Sequence, residues 1–520
     1  NEIRTLDKQA NATLQARTPN DQFEGPLGFD GYFSKGGGLL RRGFGKERGL
    51  SFAIAGTYDY MKKYVVDLSY RMDGSSQNGF GNLYTKNPAV GFRWNAYHEN
   101  FLRDVDWINL LSLRTSWGVN VMPNSTLERV YGKYDIAGSY NDKIGIGINY
   151  EQIPNPDLKP TTTSQYNLGL DLAFFQNRFE LTYDTYYKKV NNILFEERLS
   201  SSLGFDKVNS NSAAIANYGH ELSVMLRPLT EGRFTMSVGV NGAYNRDVLL
   251  KLPEHYGGQF VRWENNDKYK QHVVFRVGTS TMSNYMLLNR GVYSTDADVP
   301  VDPATGRRYR MANGTEFQAG DPIFADLDGN YVLDENDYAR TGNSQPLITG
   351  GMQLNFNYNH ETLGSFGLNL YASYTAKRTI LNNALAERLQ LMSDPYGDRA
   401  VVPLDDINMW MKPGDIAKYP YAYDFRRYSS VNPFRMDQDL WAEDGSYFKL
   451  NSVTLSYMFT KNAVRRYGLE RLRIYISADN VTTLSKYSGP NPENVSTMGR
   501  DASGGYPVPR QYNVGVNIDF

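Results

Sequence analysis

Residues 510–520 read RQYNVGVNIDF and alternate strictly between apolar side chains and polar or small ones. The apolar positions are Tyr512, Val514, Val516, Ile518 and Phe520. Because successive side chains of an extended strand point to opposite faces, the pattern predicts a strand with one apolar and one polar face. A soluble β-sandwich can also contain such a strand. A full apolar face that ends on an aromatic residue is more typical of an outer-membrane β-barrel, in which one face contacts lipid and the other a wet lumen.

The overall composition is compatible with a soluble protein but favours a membrane barrel. The 520 residues include 39 Tyr, 25 Phe and 47 Gly, and the mean hydropathy is -0.53. No apolar run approaches the roughly 20 residues that a membrane-spanning helix requires. Alternating barrel strands lower the mean hydropathy, and abundant tyrosine supplies aromatic girdles at the two membrane surfaces.

Charge, cysteine content and motif searches exclude several functional classes. The 55 basic and 56 acidic residues nearly balance, so the charge does not indicate a nucleic-acid partner. Cysteine is absent, which excludes disulfides, thiolate metal sites and cysteine nucleophiles. The five histidines show no HExxH spacing, and neither a GxSxG elbow nor a phosphate-binding loop is present. We therefore interpret the protein as a non-enzyme.

The same alternation predicts twelve further strands. They lie at about 51–60, 63–72, 88–96, 108–118, 164–175, 178–188, 217–226, 233–246, 351–359, 365–376, 446–459 and 470–481. The apolar phase shifts between Leu450 and Val453, which predicts a β-bulge there. Short connections alternate with long, irregular ones at roughly 119–163, 189–216, 247–350, 377–444 and 482–510. This alternation is the pattern of short periplasmic turns and long extracellular loops.

The predicted fold class is therefore all-β, a transmembrane antiparallel β-barrel with long extracellular loops. About thirteen strands are too few and odd in number for a plugged barrel, which requires an even number in the ~22-strand class. No signal peptide is visible at the start of the sequence. We therefore expect the plug and the first strands to lie outside this chain. Residues 1–49 are interpreted as an extracellular loop region, and residues 50–520 as the carboxy-terminal part of the barrel.

Residues 326–337 read DLDGNYVLDEND and match the spacing of a calcium-binding loop of the EF-hand kind. The candidate ligands are Asp326, Asp328, Asn330, the carbonyl of Val332, Asp334 and Asp337. The match departs from the motif at Tyr331, where glycine is usual, and at the last ligand, where the longer glutamate is usual. The hypothesis is a Ca²⁺ ion that stabilises the loop, and the alternative is an acidic turn exposed to solvent.

Aromatic residues are the candidates for substrate contact, because their faces stack on sugar rings or contact peptides. The candidates are Tyr186 and Tyr371 on the lumenal face, with Trp410, Tyr419, Tyr421, Tyr428 and Trp441 in a long loop. The alternative for each is packing within a loop or a membrane girdle. The loop that holds most of them also contains a segment at about 380–392 with the pattern of a short helix.

Several stretches, in order, resemble the SusC/RagA family of TonB-dependent outer-membrane transporters from Bacteroidetes. They include KKYVVDLSYRMDGSS, INLLSLRTSWGVN, IPNPDLKPTTTSQYNLGLDLAFFQNRFELTYDTYY, ANYGHELSVML, AGDPIFADLDGNYVLDENDYARTGN, EDGSYFKLNSVTLSYMF, LRIYISADNVTTLSKYSGPNPE and GYPVPRQYNVGVNIDF. The resemblance covers nearly the whole chain. It implies import of oligosaccharides or oligopeptides across a Gram-negative, Bacteroidetes-like outer membrane, with energy from TonB and a SusD-like surface lipoprotein as a lid.

The resemblance also implies a set of partners. They are the SusD-like lipoprotein, the TonB complex reached through an amino-terminal part, the plug and remaining barrel strands, the bilayer with its lipopolysaccharide, and a dimer of the transporter–lipoprotein pair. It implies that Tyr512 and Phe520 contribute to the signal read by the barrel-assembly machinery. Two alternatives remain: a SusC-derived barrel that acts as a scaffold in a larger outer-membrane assembly, and a soluble β-rich carbohydrate-binding protein.

Overall fold

A computed structural model describes residues 2–520 except 12–38, 77, 79, 123–125, 141–142, 264–271, 394–406, 423–424, 497 and 502–507. Fourteen strands pair antiparallel in chain order within one large sheet. They are β1 (Glu2–Asn11), β2 (Leu39–Tyr60), β3 (Tyr64–Ser75), β4 (Tyr84–Asn95), β5 (Ile108–Met122), β6 (Thr161–Phe174), β7 (Phe179–Arg198), β8 (Lys207–Leu229), β9 (Phe234–Lys251), β10 (Ile348–His360), β11 (Gly364–Ala376), β12 (Tyr447–Met458), β13 (Arg471–Ser485) and β14 (Gln511–Asp519). The short strand Gln152–Ile153 adds to β8 in parallel.

The connections between these strands contain further regular structure. Short strands lie at Tyr134–Tyr140, Lys143–Ile148, Gln259–Trp263, His272–Arg276, Ser283–Leu287, Asn289–Val292, Arg310–Met311, Pro322–Phe324, Val332–Leu333, Tyr338–Asn343, Thr379–Leu381 and Ala442–Asp444. The α-helices are α1 (Leu127–Tyr131), α2 (Asn383–Ser393), α3 (Phe425–Ser430) and α4 (Lys461–Arg465). Single 3₁₀ turns lie at Phe80–Asn82, Ala96–His98, Asn100–Leu102, Ser201–Leu203, Glu254–Tyr256, Asp296–Asp298, Glu335–Asp337 and Asp439–Trp441. In the described part of the chain, no helix is both long and apolar enough to cross a membrane.

All thirteen predicted strands are present as β2–β14, which confirms the all-β fold class. The predicted bulge is also confirmed. The register of β12 against both of its neighbours shifts between Leu450 and Ser452. Asn451 is the extra residue against β11, whereas against β13 the two residues Asn480 and Val481 lie opposite Asn451. The shift moves the apolar phase of β12 by one position, which keeps Leu450 and Val453 on the same face although they are three residues apart. The predicted short helix corresponds to α2.

Two regions expected to be loops contain more strand than the sequence predicts. Strand β1 pairs with residues 39–48 of β2, so part of the expected loop region 1–49 is a strand pair; residues 12–38 lie outside the described residues. The expected long loop at 189–216 is also mostly strand, because β7 and β8 leave only 199–206 between them. A 20-residue strand at about 3.3 Å per residue exceeds a bilayer core of about 30 Å. Beyond the membrane, β7 and β8 continue to pair with each other, and this pairing satisfies the backbone N–H and C=O groups of their extensions.

The large sheet has one apolar and one polar face. On β2, Leu50, Phe52 and Ile54 are between 59% and 63% exposed, and on β14 Val514 is 75% exposed. The intervening positions on β14 are polar or small, as the period of two requires. Such extensive apolar exposure is unfavourable in water, whereas it suits contact with lipid. The alternation therefore defines an outer, lipid-facing surface and an inner, lumenal one.

On the lumenal face, a side chain of β13 packs directly against the backbone of β14. The ring of Tyr475 lies over Gly515, where a Cβ would collide with it. A side chain at position 515 would therefore force the Tyr475 ring to move. Within the described residues, β14 pairs with β13 alone, and residues 49–60 of β2 pair with β3 alone. Because lipid cannot satisfy free backbone N–H and C=O groups, both of these edges require partner strands in a bilayer.

Side-chain hydrogen bonds hold the short connections at the end of the sheet opposite the long loops. Glu99, between β4 and β5, accepts hydrogen bonds from the Tyr64 hydroxyl at 2.6 Å and from Lys63 Nζ at 2.9 Å. These two bonds hold the pKa of Glu99 at about 2, which is well below the usual value of a glutamate. The carboxylate therefore stays ionised at neutral pH and links two neighbouring hairpins.

Candidate functional site

The lumenal face carries a charged cluster that spans three adjacent strands. Arg114 on β5 donates from Nε to Asp171 Oδ2 on β6 at 2.7 Å, and from Nη2 to Asp184 Oδ2 on β7 at 3.2 Å. Gly169 leaves room for this contact, because a Cβ there would lie 2.5 Å from an Asp184 oxygen. All three charged side chains are partly exposed, so the face is wet, as the sequence pattern predicts.

The sequence analysis did not identify Arg114 as part of a charged cluster. The signal was available in the alternation of LLSLRTSWG, in which Ser112, Arg114 and Ser116 occupy one face and Leu111, Leu113 and Trp117 the other. The pairing of Arg114 with Asp184 could not be predicted, since it depends on the register of β5 against β6, in which Arg114 lies opposite Gly169.

Two of the seven candidate substrate contacts, Tyr186 and Tyr371, lie on the lumenal face. Tyr371 on β11 is 47% exposed and lies opposite the polar residues Gln353 and Ser452 of its neighbouring strands. Tyr186 on β7 donates its hydroxyl to Asn245 Oδ1 at 2.6 Å. The two tyrosines are four strands apart in the sheet, so they belong to different regions of the lumenal surface.

Two of the loop candidates, Trp410 and Trp441, are buried in this structure, so protein rather than solvent covers their rings. Their contact with substrate stays a prediction. Trp441 is 0% exposed, stacks on Tyr419 at a centroid distance of 6.2 Å, and donates Nε1–H to the Arg435 carbonyl at 2.9 Å. Trp410 is 8% exposed and donates to the Ser294 carbonyl at 3.1 Å. Their aromatic surfaces pack the long loops, because burying a ring of this size in a core is more favourable than exposing it.

The long loops fold into a packed unit, which corrects the expectation of irregular connections. This unit, the loop body, is formed by residues 283–343, 379–389, 407–422 and 425–441. One cluster of its buried residues comprises Leu287, Tyr293, Val299, Tyr309, Phe317, Phe324, Leu333 and Val431, and a second comprises Ala386, Leu389, Met409, Ala422, Phe434, Met436 and Trp441. Val431 belongs to the β11–β12 connection and the rest of the first cluster to the β9–β10 connection, so two loops share one core.

Buried ion pairs connect the segments of the loop body. Arg427 donates Nε–H to Asp321 Oδ1 at 3.0 Å, and only 11% and 3% of these two side chains is exposed. Asp437 accepts from Arg435 Nη2 and from the Tyr338 hydroxyl, both at 2.7 Å. Burial and the Asp437 carboxylate raise the pKa of Tyr338, so its hydroxyl stays a hydrogen-bond donor. These pairs set the relative position of two loops that are about 100 residues apart in sequence.

The candidate calcium loop lies within the loop body. Oxygen atoms of Asp326, Asp328 and Asp337 lie within 4.8 Å of one another. The Asn330 amide nitrogen donates to Asp328 Oδ2 at 3.0 Å and to Asp334 Oδ2 at 3.2 Å. Tyr331 has φ = +58°, the left-handed conformation for which glycine is usual at this position of the motif. The predicted turn therefore forms in spite of the tyrosine.

The candidate assembly residues lie on the outer face at the end of the sheet. Tyr512 is exposed at one end of β14, and Phe520 directly follows its last residue and is also exposed. Both side chains continue the lipid-facing row of the terminal strand. Their part in assembly stays a prediction.

A sequence comparison assigns the chain to a family whose fold agrees with the two-faced antiparallel sheet described above. Residues 5–305 match a family model described as "TonB dependent receptor-like, beta-barrel". The match covers more than half of the chain, which therefore belongs to the TonB-dependent receptor-like β-barrel family. Members of this family are transporters and receptors of the Gram-negative outer membrane rather than enzymes.

Individual relatives support the same assignment. The chain is 29% identical over 477 residues to TonB-dependent receptor P3 of Formosa agariphila, covering 89% of this chain and 44% of the relative. It is 23% identical over 482 residues to TonB-dependent receptor SusC of Bacteroides thetaiotaomicron, covering 89% and 43%. It resembles a chain of the RagAB peptide transporter with a TM-score of 0.71 and 21% identity, covering 93% and 49%. The chain thus spans about half the length of the curated relatives that it matches.

Proposed function

We propose that this protein takes part in TonB-dependent import of oligosaccharides or oligopeptides across the outer membrane of a Bacteroidetes-like bacterium. The observation that carries the proposal is the lumenal face of the sheet. It is lined by partly exposed polar groups such as Arg114 and Asp171 and by glycines, and it lies behind a lipid-facing apolar surface. A wet inner face of this kind suits passage of hydrogen-bonding solutes.

The proposed partner is a SusD-like surface lipoprotein that covers the loop end of the barrel. The loop body supports this because it is a folded unit with its own core and buried ion pairs, and so offers a defined docking surface. The relatives include SusC and a chain of the RagAB complex. The TonB complex is the proposed energy source.

Purification tests the partnership. We expect the affinity-tagged protein, extracted from its native outer membrane in mild detergent, to bring down one surface lipoprotein in near-equal amount, as measured by quantitative mass spectrometry. An unrelated outer-membrane barrel carrying the same tag serves as the control. Stable association with other proteins and no such lipoprotein would contradict the proposal and favour a scaffold role.

Uptake measurements test the contribution of Tyr371 to substrate binding. We expect Tyr371→Ala to raise the substrate concentration for half-maximal uptake by about 2- to 10-fold, because a stacked aromatic pair contributes about 0.5–1.5 kcal/mol. Tyr371→Phe keeps the ring and should retain uptake. The amount of assembled protein should be the same in both variants. Equal uptake by the alanine and phenylalanine variants would show that the ring does not contact substrate.

A further inference from the structure

The acidic loop 326–337 has the dimensions of a calcium site. One oxygen each from Asp326, Asp328 and Asp337 lies within 4.8 Å of the other two. Calcium binds oxygen at about 2.3–2.6 Å, so ligands on opposite sides of the ion are about 4.6–5.2 Å apart. Carboxylates this close repel one another unless a positive group lies among them. The Asn330 amide nitrogen donates to Asp328 and Asp334, so it offsets part of this repulsion.

A separate feature beside the loop also indicates a ligand. Tyr309 is 2% exposed, and its hydroxyl has no hydrogen-bond partner among the described residues. The backbone places Tyr309 beside the loop, because the N–H of Arg310 donates to the Tyr331 carbonyl at 3.3 Å and Tyr331 packs against the buried cluster that contains Tyr309. A buried hydroxyl without a partner is unfavourable. An ion, or water bound to an ion, within the acidic cluster would supply that partner.

The backbone connects this loop to the core of the loop body. Val332–Leu333 pairs in parallel with Arg310–Met311, directly after Tyr309, and Leu333 is part of the same buried cluster as Tyr309. Asp337 is buried and accepts hydrogen bonds from the backbone N–H of Leu327 at 2.7 Å. Both ends of the acidic segment are therefore held in place, and a ligand would close the exposed middle.

We propose that this loop binds one Ca²⁺ ion through Asp326, Asp328, Asn330, the Val332 carbonyl, Asp334 and Asp337, next to the Tyr309 hydroxyl. The ion rigidifies the loop body at the extracellular end of the barrel. This role is independent of which solute the barrel carries and of which lipoprotein covers it. It makes the folded state of residues 320–345 dependent on external calcium.

Calorimetric titration of the intact protein in detergent, after treatment with EGTA, tests the site. We expect one saturable Ca²⁺ site that Mg²⁺ at equal concentration does not displace. Asp328→Asn should weaken Ca²⁺ binding at least tenfold, and it should still fold because Asp328 is exposed. Asp302→Asn is the matched control, since Asp302 forms a similar exposed turn by accepting from Ala304 N–H at 2.8 Å. The control also accounts for Ca²⁺ bound by residual lipopolysaccharide.

Limited proteolysis gives a second readout. Ca²⁺ should slow cleavage within residues 320–345 at least fivefold in the unmodified protein and in Asp302→Asn, but not in Asp328→Asn. Tyr309→Phe should weaken binding by about three- to tenfold, and unchanged affinity would overturn the part assigned to its hydroxyl. Absence of a saturable site, or equal affinity in Asp328→Asn and Asp302→Asn, would show that the segment is an acidic turn and would overturn the proposal.

Discussion

Replacing Val514 with arginine is expected to reduce assembly of the protein in the outer membrane sharply. Val514 lies near the middle of β14, is 75% exposed on the outer face, and pairs with Ile476 of β13. Arginine on the lipid face of a barrel costs about 2–4 kcal/mol near the bilayer midplane, or roughly 30- to 1000-fold in an insertion equilibrium. The measurement is the fraction of protein that shows the heat-modifiable migration of a folded barrel on gels.

The matched control is the neighbouring residue on the opposite face. Asn513 donates its amide to Asp479 Oδ2 at 3.1 Å, so an arginine at position 513 would face a carboxylate across a wet surface. We expect Asn513→Arg to assemble normally. Equal loss in the two variants would contradict the assigned orientation of β14, and equal assembly would contradict its contact with lipid.

Replacing Trp441 with alanine is expected to unfold part of the loop body while leaving the barrel assembled. Trp441 is 0% exposed and is the largest residue in its core cluster. Truncating a buried tryptophan costs about 3–5 kcal/mol, because it leaves a cavity and removes apolar contacts. The carbonyl of Arg435 also loses its indole donor. We expect the protease-accessible population of residues 407–441 to rise roughly 100-fold or more, as measured by cleavage rates on intact cells.

Ile416→Ala is the control for this variant. Ile416 is in the same loop but is 91% exposed, so its truncation removes little packing. Cleavage of this variant should match that of the unmodified protein. If Trp441→Ala lowered uptake without any change in loop cleavage, the tryptophan would act by direct contact with substrate, and its assignment to the loop core would be wrong.

The barrel strands could be predicted because their physical cause is local. In a strand such as β14, each apolar residue must contact lipid and each polar residue must face water, so the environment imposes a period of two on the sequence itself. The bulge in β12 was visible for the same reason, as a break in that period between Leu450 and Val453. The family motifs then extended the interpretation to nearly the full chain.

The loops could not be predicted in this way, since their structure depends on contacts between distant segments. Trp410 and Trp441 look like free loop aromatics in the sequence. Only the tertiary structure shows that Trp410 packs with Val292 of the other connection, and that Trp441 is buried among residues of its own connection. The ion pair between Arg427 and Asp321 joins residues 106 positions apart and leaves no periodic signal. The sequence analysis missed the extension of β7 and β8, because strand residues outside the bilayer do not contact lipid. Such residues need not alternate between apolar and polar side chains.

The terminal strand β14 shows which properties follow from the sequence alone and which follow from the tertiary structure. The sequence RQYNVGVNIDF by itself determined the conformation of β14 and which of its faces contacts lipid, because alternation and environment are coupled residue by residue. Only the tertiary structure decided that Tyr475 covers Gly515, and that β14 has a pairing edge free among the described residues. Register and edges depend on the neighbouring strands, whose positions are set by hydrogen bonds between segments and not by the sequence of one strand.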